Sequence, residues 1–183
     1  MGFRRALISD AKRIAELHAE SWRNTYRGML SDHFLDQEIF ANRLSLWQNR
    51  LSAPQPESQL ILLTEERGEL FGFVCAFLDA DPRWGALLDN LHIRADAQGR
   101  GLGRRLMSEA ASWVLRQRPG SGLYLWVFEA NHQARKFYER LQGKVVERQA
   151  QCAPGSAEIM AVRYAWNDFS SFPKTTLDGS SNF

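Results

Sequence analysis

The chain has 183 residues, of which 44% are hydrophobic and 24% charged, and this predicts one globular domain with a sizeable core. The formal net charge of +2 is too small to indicate a nucleic-acid partner, and no uninterrupted apolar run is long enough for a signal peptide or a membrane span. The two cysteines, Cys75 and Cys152, lack metal-ligand spacing and predict neither a disulfide framework nor a metal site. We therefore expect a cytoplasmic protein that binds neither nucleic acid nor membrane.

The first third of the chain predicts one strand and two helices. Residues 3–8 read as strand β1, and Ser9 and Asp10 are favourable N-cap residues for helix α1 over residues 11–27. Gly28 is a typical helix end. A second helix, α2, is predicted over residues 31–48, where apolar side chains again recur at helical spacing.

The periodicity then changes from helical to alternating. Residues 59–65 and 70–78 predict strands β2 and β3 of an antiparallel hairpin, and residues 86–93 predict strand β4. Helix α3 follows over residues 102–116, with an apolar face that includes Leu106 and Val114.

A glycine-rich turn joins β4 to α3, with the sequence Gln98-Gly99-Arg100-Gly101-Leu102-Gly103-Arg104-Arg105. Glycines without Cβ let main-chain N–H groups approach an anion, and a helix start adds positive partial charge. No glycine here precedes Lys and then Ser or Thr, which excludes a Walker loop, and Arg104 stands where a dinucleotide fingerprint needs its third glycine. The turn predicts a different kind of phosphate cradle.

The last third of the chain completes the predicted sheet. Residues 123–128 predict strand β5, which should be a parallel neighbour of β4 because a helix joins them. Ala134, Phe137, Tyr138 and Leu141 form the apolar face of a short helix, α4, that Gly143 ends. Residues 145–151 and 158–166 predict a hairpin of strands β6 and β7. We assign residues 1–166 to one domain and residues 167–183 to a polar tail, which we expect to pack on something, such as a second subunit of a homodimer.

Two segments carry a resemblance to a known family. Gln98, Gly101 and Gly103 fill the pattern Q-x-x-G-x-G, and the segment from Asn131 to Gly143 is similar to a second conserved pattern. Together they resemble the GNAT superfamily of acyl-CoA N-acyltransferases, over roughly residues 3–165. The resemblance implies a mixed α/β (α+β) sheet in the order β1-α1-α2-β2-β3-β4-α3-β5-α4-β6-β7, with a splay between parallel β4 and β5. It also implies acetyl-CoA (coenzyme A) as cosubstrate, with no metal.

The resemblance assigns roles to individual residues. It implies that main-chain groups of Leu91, His92 and Ile93 bind pantetheine, with the Ile93 N–H as the oxyanion donor, and that Tyr138 protonates the departing thiolate as general acid. The remaining residues that it implies for cofactor binding are Gln98, Gly99, Arg100, Gly101, Leu102, Gly103, Arg104, Asn131 and Phe137. For Asn131, helix capping is an equal alternative, and for Tyr138 the alternative is an ordinary helical aromatic residue beside Phe137.

The resemblance also points to a candidate general base and to a class of acceptor. Many relatives carry Glu or His on the central strand where this chain has Leu87, so Asp89 is the nearest replacement, on the same face by strand alternation. His92 should point the other way. The expected acceptor is an amine-bearing small molecule or peptide, bound by Trp22, Tyr26 and Trp126, with Asp79, Asp81 and Glu129 as candidate partners for a cation.

Two rival functions remain open from the sequence. In one, Cys75 or Cys152 acts as a nucleophile in a ping-pong reaction, although free cysteines are usually small buried apolar residues. In the other, the protein is a non-catalytic acyl-CoA-binding sensor or partner subunit, which the absence of the usual Glu leaves possible.

Overall fold

The computed structural model of the chain describes residues 1–156, 158–167, 169 and 172. Over these residues a seven-stranded mixed sheet has the order β1-β2-β3-β4-β5-β7-β6. Its strands are β1 (Gly2–Arg5), β2 (Gln59–Glu66), β3 (Glu69–Asp81), β4 (Gly85–Ile93), β5 (Leu123–Phe128), β6 (Lys144–Gln151) and β7 (Ile159–Trp166). The helices are α1 (Ala11–Thr25), α2 (Ile39–Ser52), α3 (Leu102–Gln117) and α4 (His132–Arg140). The predicted fold class and element order are confirmed.

The starts of the first two helices differ in detail from the prediction. Asp10 stands at the N-cap position of α1, but its carboxylate accepts hydrogen bonds from Arg4 at 2.7 and 2.9 Å and from the Leu7 N–H at 2.8 Å. It therefore ties β1 to the helix start instead of capping α1. The helix predicted from residue 31 opens with the Ser31 hydroxyl accepting from the Phe34 N–H at 3.1 Å, passes through a π-helical turn and continues to Ser52.

The two faces of the sheet are covered by different helices. Along β3, Phe73 and Cys75 pack against α1 and α2, whereas Val74 and Ala76 pack against α3, and all four are fully buried. This strand is therefore apolar on both faces, which explains why its sequence is a nearly continuous hydrophobic run. Burial on both faces fixes the position of β3 and of its neighbour β4.

Strands β4 and β5 pair in parallel only at their beginnings. The paired residues are Ala86 with Leu123 and Leu87 with Tyr124, and beyond them the two strands diverge. The predicted splay is therefore present, and it leaves the second half of each strand with an open edge facing the other.

A β-bulge interrupts β4 beside this gap. Asn90 lies opposite Cys75 and Leu88 lies opposite Ala76, so Asp89 is the extra residue of the bulge. A bulge reverses the alternation of side chains that follow it. Residues after Asp89 therefore lie on the opposite face from the one that simple alternation predicts.

Most of the predicted tail lies outside the described residues, and with it the expected packing on a second subunit. Within the described residues, Phe172 is buried and its ring lies 6.0 Å from that of Trp166. The domain boundary after Trp166 stays a prediction. Among the described residues, no helix is both long and apolar enough to cross a membrane.

Candidate active site

A cleft of about 780 Å³ occupies the gap between β4 and β5. Residues from the second halves of both strands line it, together with the glycine-rich turn, α1, α2 and α4. We call the part lined by the turn and the start of α3 the cradle half. The acceptor half is lined by residues of α1 and α2 together with Asp89, Asn90, Trp126 and Phe128.

In the cradle half, main-chain N–H groups are available to a ligand. In the part of the chain that the structure describes, the N–H groups of residues 99 to 103 donate to no acceptor, and the first helical hydrogen bond of this turn is from Arg105 to the Gly101 carbonyl at 3.1 Å. Gly99 and Gly101 both have φ of +77°, a conformation that side chains other than glycine rarely adopt. A Cβ at either position would meet no protein atom within 4 Å. The glycines therefore keep this space clear.

These features fit the diphosphate of coenzyme A. Free N–H groups at the start of a helix form an anion site, and the helix dipole strengthens it. Side chains support the turn from both sides: the Gln98 amide donates to the Ile93 carbonyl at 3.4 Å, and Gln133 of α4 donates to Gln98 at 3.4 Å. No sequence pattern identified Gln133 as a residue of the site. Arg100 turns its guanidinium to the Asp96 carbonyl at 3.1 Å, away from the cleft lining.

The main chain of β4 offers hydrogen-bonding groups to the cleft at alternate residues. The Arg94 N–H donates to the Phe71 carbonyl of β3 at 2.8 Å. Because successive residues of a strand direct their main-chain groups to opposite edges, those of Leu91 and Ile93 face the gap, whereas those of His92 face β3. The prediction that the His92 main chain binds pantetheine is therefore wrong, although its side chain lines the cleft.

Helix α4 brings Asn131, Phe137 and Tyr138 to the cleft. The Asn131 side chain accepts from the Ala134 N–H at 3.1 Å, so it caps the helix, and it also contacts the Tyr26 hydroxyl. Phe137 packs over Gly103, where a Cβ would lie 3.5 Å from its ring. Capping and packing thus account for two of these residues while both still face the cleft.

Tyr138 is 9% exposed and packs against Phe137, Tyr164 and Trp166, with ring centroids 5.3, 5.8 and 6.0 Å away. In the described part of the chain its hydroxyl has no protein hydrogen-bond partner. Burial raises the pKa of Tyr138 well above the usual tyrosine value, with a smaller contribution from Tyr26. The phenol therefore stays protonated at neutral pH and can act as a proton donor.

Asp89 lines the acceptor half as an ion pair. Its carboxylate lies 2.7 Å from the Arg50 guanidinium, which also donates to Asn90 at 3.0 Å. The bulge directs both Asp89 and Asn90 toward α2, which is why one arginine contacts both. Arg50 was not identified from the sequence, because nothing in a helical pattern reveals which strand residue will oppose it.

The bulge also corrects the predicted orientation of His92. Its ring lies on the same face of the sheet as Asp89, where its Nδ1 is 2.8 Å from the Ser21 hydroxyl and its ring centroid is 4.4 Å from that of His18. Burial and the charge of Arg43 lower the pKa of His92 to about 3. The imidazole is therefore neutral, and simple alternation failed because it assumed a regular strand.

The three aromatic residues predicted to bind the acceptor all line the cleft: Trp22, Tyr26 and Trp126. The ring centroids of Trp22 and Tyr26 lie 5.1 Å apart, and those of Tyr26 and Phe128 lie 5.0 Å apart. Burial raises the pKa of Tyr26 to about 12, so this wall carries no negative charge at neutral pH.

The carboxylates expected to bind a cation lie elsewhere. Asp79 pairs with Arg118 at 2.9 Å, Asp81 with Arg163 at 2.9 Å and Glu129 with Arg148 at 2.7 Å. None of the three carboxylates lines the cleft. The prediction that they bind the cationic acceptor is wrong, because each carboxylate pairs with an arginine outside the cleft. Their position near the strand ends in the sequence did not reveal these arginine partners.

Neither cysteine is arranged as a nucleophile. Cys75 is fully buried, and burial raises the pKa of its thiol to about 12. Cys152 is exposed and does not line the cleft. Among the described residues, no group of three or more His, Cys, Asp or Glu side chains is placed to hold a metal ion.

Comparison with known proteins identifies one family and several proteins of similar sequence. Residues 12–143 match the acetyltransferase (GNAT) family. The uncharacterized N-acetyltransferase YuaI of Bacillus subtilis is 25% identical over 177 residues, which cover 96% of this chain and 97% of that protein. A probable N-acetyltransferase of Mycobacterium tuberculosis is 26% identical over 131 residues, 72% of each chain.

Solved structures share the fold. The PaiA N-acetyltransferase of Thermoplasma acidophilum, solved in complex with coenzyme A, superposes with a TM-score of 0.72 at 21% identity, covering 90% of this chain and 98% of that one. YncA of Salmonella typhimurium, a putative acetyltransferase solved with acetyl-CoA, gives a TM-score of 0.64 at 19% identity and covers 91% and 93%. At these identities the likeness concerns the fold.

Proposed function

The chain belongs to the acetyltransferase (GNAT) family, and from this premise we propose that it transfers an acetyl group from acetyl-CoA to a primary amine of a small molecule or peptide. The amine attacks directly in a ternary complex, with Tyr138 as the general acid. The high pKa and complete burial of the Cys75 thiol favour direct attack over a thiol nucleophile.

One observation carries this proposal: a single cleft is lined both by Gly99, Gly101, Leu102 and Gly103, whose main-chain N–H groups are free, and by Tyr138. An anion-binding turn alone would serve many ligands. Its connection, along the open edges of β4 and β5, to a buried phenol suits a long ligand whose phosphates and reactive end are far apart. PaiA, solved with coenzyme A, and YncA, solved with acetyl-CoA, share the fold and support a ligand of this kind here.

The ligand would be held mainly by main-chain groups. Residues 99 to 103 bind the diphosphate, and the main-chain groups of Leu91 together with the Ile93 N–H bind the pantetheine arm as an added strand would. Acetyl-CoA supplies an acetyl thioester that an amine can attack with loss of the thiol. The Ile93 N–H faces the gap and donates to the negative charge that develops on the carbonyl oxygen.

Two side chains move protons. The Tyr138 hydroxyl gives its proton to the departing sulfur and regains one from solvent. Asp89 accepts the proton that leaves the amine nitrogen, directly or through water, while Arg50 holds its carboxylate in position. The new N–C bond, the broken C–S bond and these two proton transfers balance the reaction.

A thiol-release assay with acetyl-CoA tests the proposal over a panel of amino acids, polyamines, aminoglycosides and peptides. We expect amine-dependent release of free coenzyme A and a product that carries one acetyl group. Tight binding of coenzyme A without release of thiol for any amine would contradict catalysis and favour an acyl-CoA sensor.

A further inference from the structure

Among the residues that the structure describes, one arginine of the acceptor half has no carboxylate partner. Arg43 of α2 lines the cleft, and its guanidinium lies over the Trp22 ring at 4.5 Å. Its Nε donates to the Asn42 side-chain oxygen at 3.0 Å, and its Nη2 donates to the same oxygen. In the part of the chain that the structure describes, no carboxylate lies within 4.0 Å of the Arg43 guanidinium. Of the five N–H donors that a guanidinium carries, the remainder stay available.

Among the described residues, the surroundings of Arg43 offset its charge only in part. Burial and the nearby Arg50 lower the pKa of Arg43 to about 10, so it remains charged at neutral pH in a place that disfavours charge. The charge of Asp89 acts on the pKa of Arg43 in the opposite direction, but Arg50 already pairs with Asp89 at 2.7 Å. A partly buried cation without a counter-ion is costly, and a bound anion would offset that cost.

The other groups around Arg43 do not supply that anion. His18 and His92 have lowered pKa values and are neutral, and the raised pKa of Tyr26 keeps its phenol protonated. Arg43 and Arg50 against Asp89 leave the acceptor half positive. A polyamine would bring more positive charge into this space.

The arrangement is instead complementary to a molecule that carries both charges. Asp89 faces the cleft as the proposed partner of the reacting amine, and Arg43 offers a flat, stacked guanidinium suited to two parallel hydrogen bonds with a carboxylate or phosphate. Trp22, Tyr26 and Phe128 add an apolar wall.

We propose that the acceptor is a primary amine that also carries an anionic group, a carboxylate or a phosphate, and that Arg43 binds this group and thereby determines acceptor specificity. This inference rests on the proposed acetyl transfer. It narrows the acceptor from amines in general to anionic amines such as free amino acids and aminoalkyl phosphates.

Matched acceptor pairs test the proposal in steady-state kinetics. One arm compares amino acids with their carboxamides, and the other compares phosphoethanolamine with ethanolamine. The wild-type protein should have a kcat/KM at least about tenfold higher for the anionic member of at least one pair, because charged hydrogen bonds of this kind are worth about 1.5–3 kcal/mol. The arm that shows the preference identifies the anion.

Arg43 variants assign the preference to this side chain. Arg43→Gln should raise KM for the anionic acceptor about tenfold or more. It should leave the KM for the neutral acceptor and the dissociation constant of coenzyme A unchanged. Arg43→Lys should restore part of the preference, because an ammonium keeps the charge but not the bidentate geometry. The control Arg116→Gln removes the same charge from an exposed position outside the cleft and should have no effect.

The possible failures are distinguishable. A wild-type preference for polyamines or neutral amines, or equal losses for both members of a pair in Arg43→Gln, would overturn this inference while the acetyl transfer stands. Weaker coenzyme A binding in Arg43→Gln with no change in acceptor preference would assign Arg43 to the cofactor and also overturn it. Absence of thiol release with every amine would overturn the acetyl transfer, and this inference with it.

Discussion

At the scale of single residues, the proposed chemistry depends on groups whose protonation state is controlled by burial. Tyr138 illustrates this, because the same apolar contacts that make it resemble a core residue keep its phenol protonated. Core packing and proton donation, which are alternatives when only the sequence is considered, are compatible in the folded protein.

Replacing Tyr138 with Phe should lower kcat by roughly 10²–10⁴-fold, the usual contribution of a general acid, with little change in the KM for acetyl-CoA. The raised pKa also has a consequence for pH dependence. A donor acts below its pKa, so kcat of the wild type should not decline as pH rises through 10.0, the ordinary tyrosine value. Steady-state rates of both proteins from neutral pH to above pH 10.0 measure this, and an unchanged kcat in Tyr138→Phe would remove the assignment.

Asp89→Asn should lower kcat/KM for the amine about 10²-fold and alter its pH profile, because the proton acceptor is lost. The matched control is Asp79→Asn, which breaks the Asp79–Arg118 pair outside the cleft. If both variants keep the wild-type rate and pH profile, Asp89 is not the base.

At the scale of secondary-structure elements, the β4–turn–α3 unit positions the site. Sequence periodicity predicted this unit, and β5 begins and ends at the predicted residues. The β4 bulge was not predicted, although two consecutive polar residues, Asp89 and Asn90, interrupt the alternation of apolar and polar residues between Leu88 and Leu91. Because of this one extra residue, His92 lies on the opposite side of the sheet from the one predicted. The glycine spacing, by contrast, correctly predicted the turn, because it depends only on local backbone conformation.

Gly101→Glu should abolish coenzyme A binding by placing bulk and negative charge in the cradle. Gly101→Ala offers a finer comparison with Gly120→Ala. The φ angles of Gly101 and Gly120 are +77° and +83°, and an added Cβ would meet no protein atom within 4 Å at either position. Both alanine substitutions should therefore lower the free energy of unfolding by a similar amount, roughly 1–2 kcal/mol. Calorimetry should show weaker coenzyme A binding only for the Gly101 variants, and equal affinity in all of them would contradict the cradle.

At the scale of the whole molecule, the order of elements followed from the alternation of helical and strand periods. The arrangement of the acceptor half could not be predicted from these periods, because contacts between residues distant in sequence bring α1, α2, β4 and β5 together there. The Arg50–Asp89 pair and the stacking of Arg43 on Trp22 are of this kind. Ion pairs with arginines distant in sequence likewise hold Asp79, Asp81 and Glu129 outside the cleft, so these carboxylates do not bind the acceptor.

Global stability should depend on pH through the buried His18. Its Nδ1 accepts from the Trp47 indole at 3.1 Å, and burial lowers its pKa well below 6.5. Below pH 6.5 the unfolded chain therefore binds a proton that the folded chain does not. The free energy of unfolding should fall by about 1.4 kcal/mol per pH unit for this residue as pH decreases.

Denaturant unfolding from pH 7.5 to pH 5 measures this slope. His18→Gln should show a smaller loss of stability over this range than the wild type, whereas the exposed His132→Gln should keep the wild-type slope. Equal slopes in the wild type and His18→Gln would show that His18 does not control the acid sensitivity.

The central claim is that main-chain N–H groups of residues 99 to 103 bind a diphosphate and thereby bring a thioester to Tyr138. A crystal structure of the protein with coenzyme A tests it most directly. We predict diphosphate oxygens at about 2.7–3.2 Å from these nitrogens, the pantetheine arm between β4 and β5, and the sulfur beside the Tyr138 hydroxyl. Coenzyme A bound outside the gap, or a sulfur remote from Tyr138, would contradict the account.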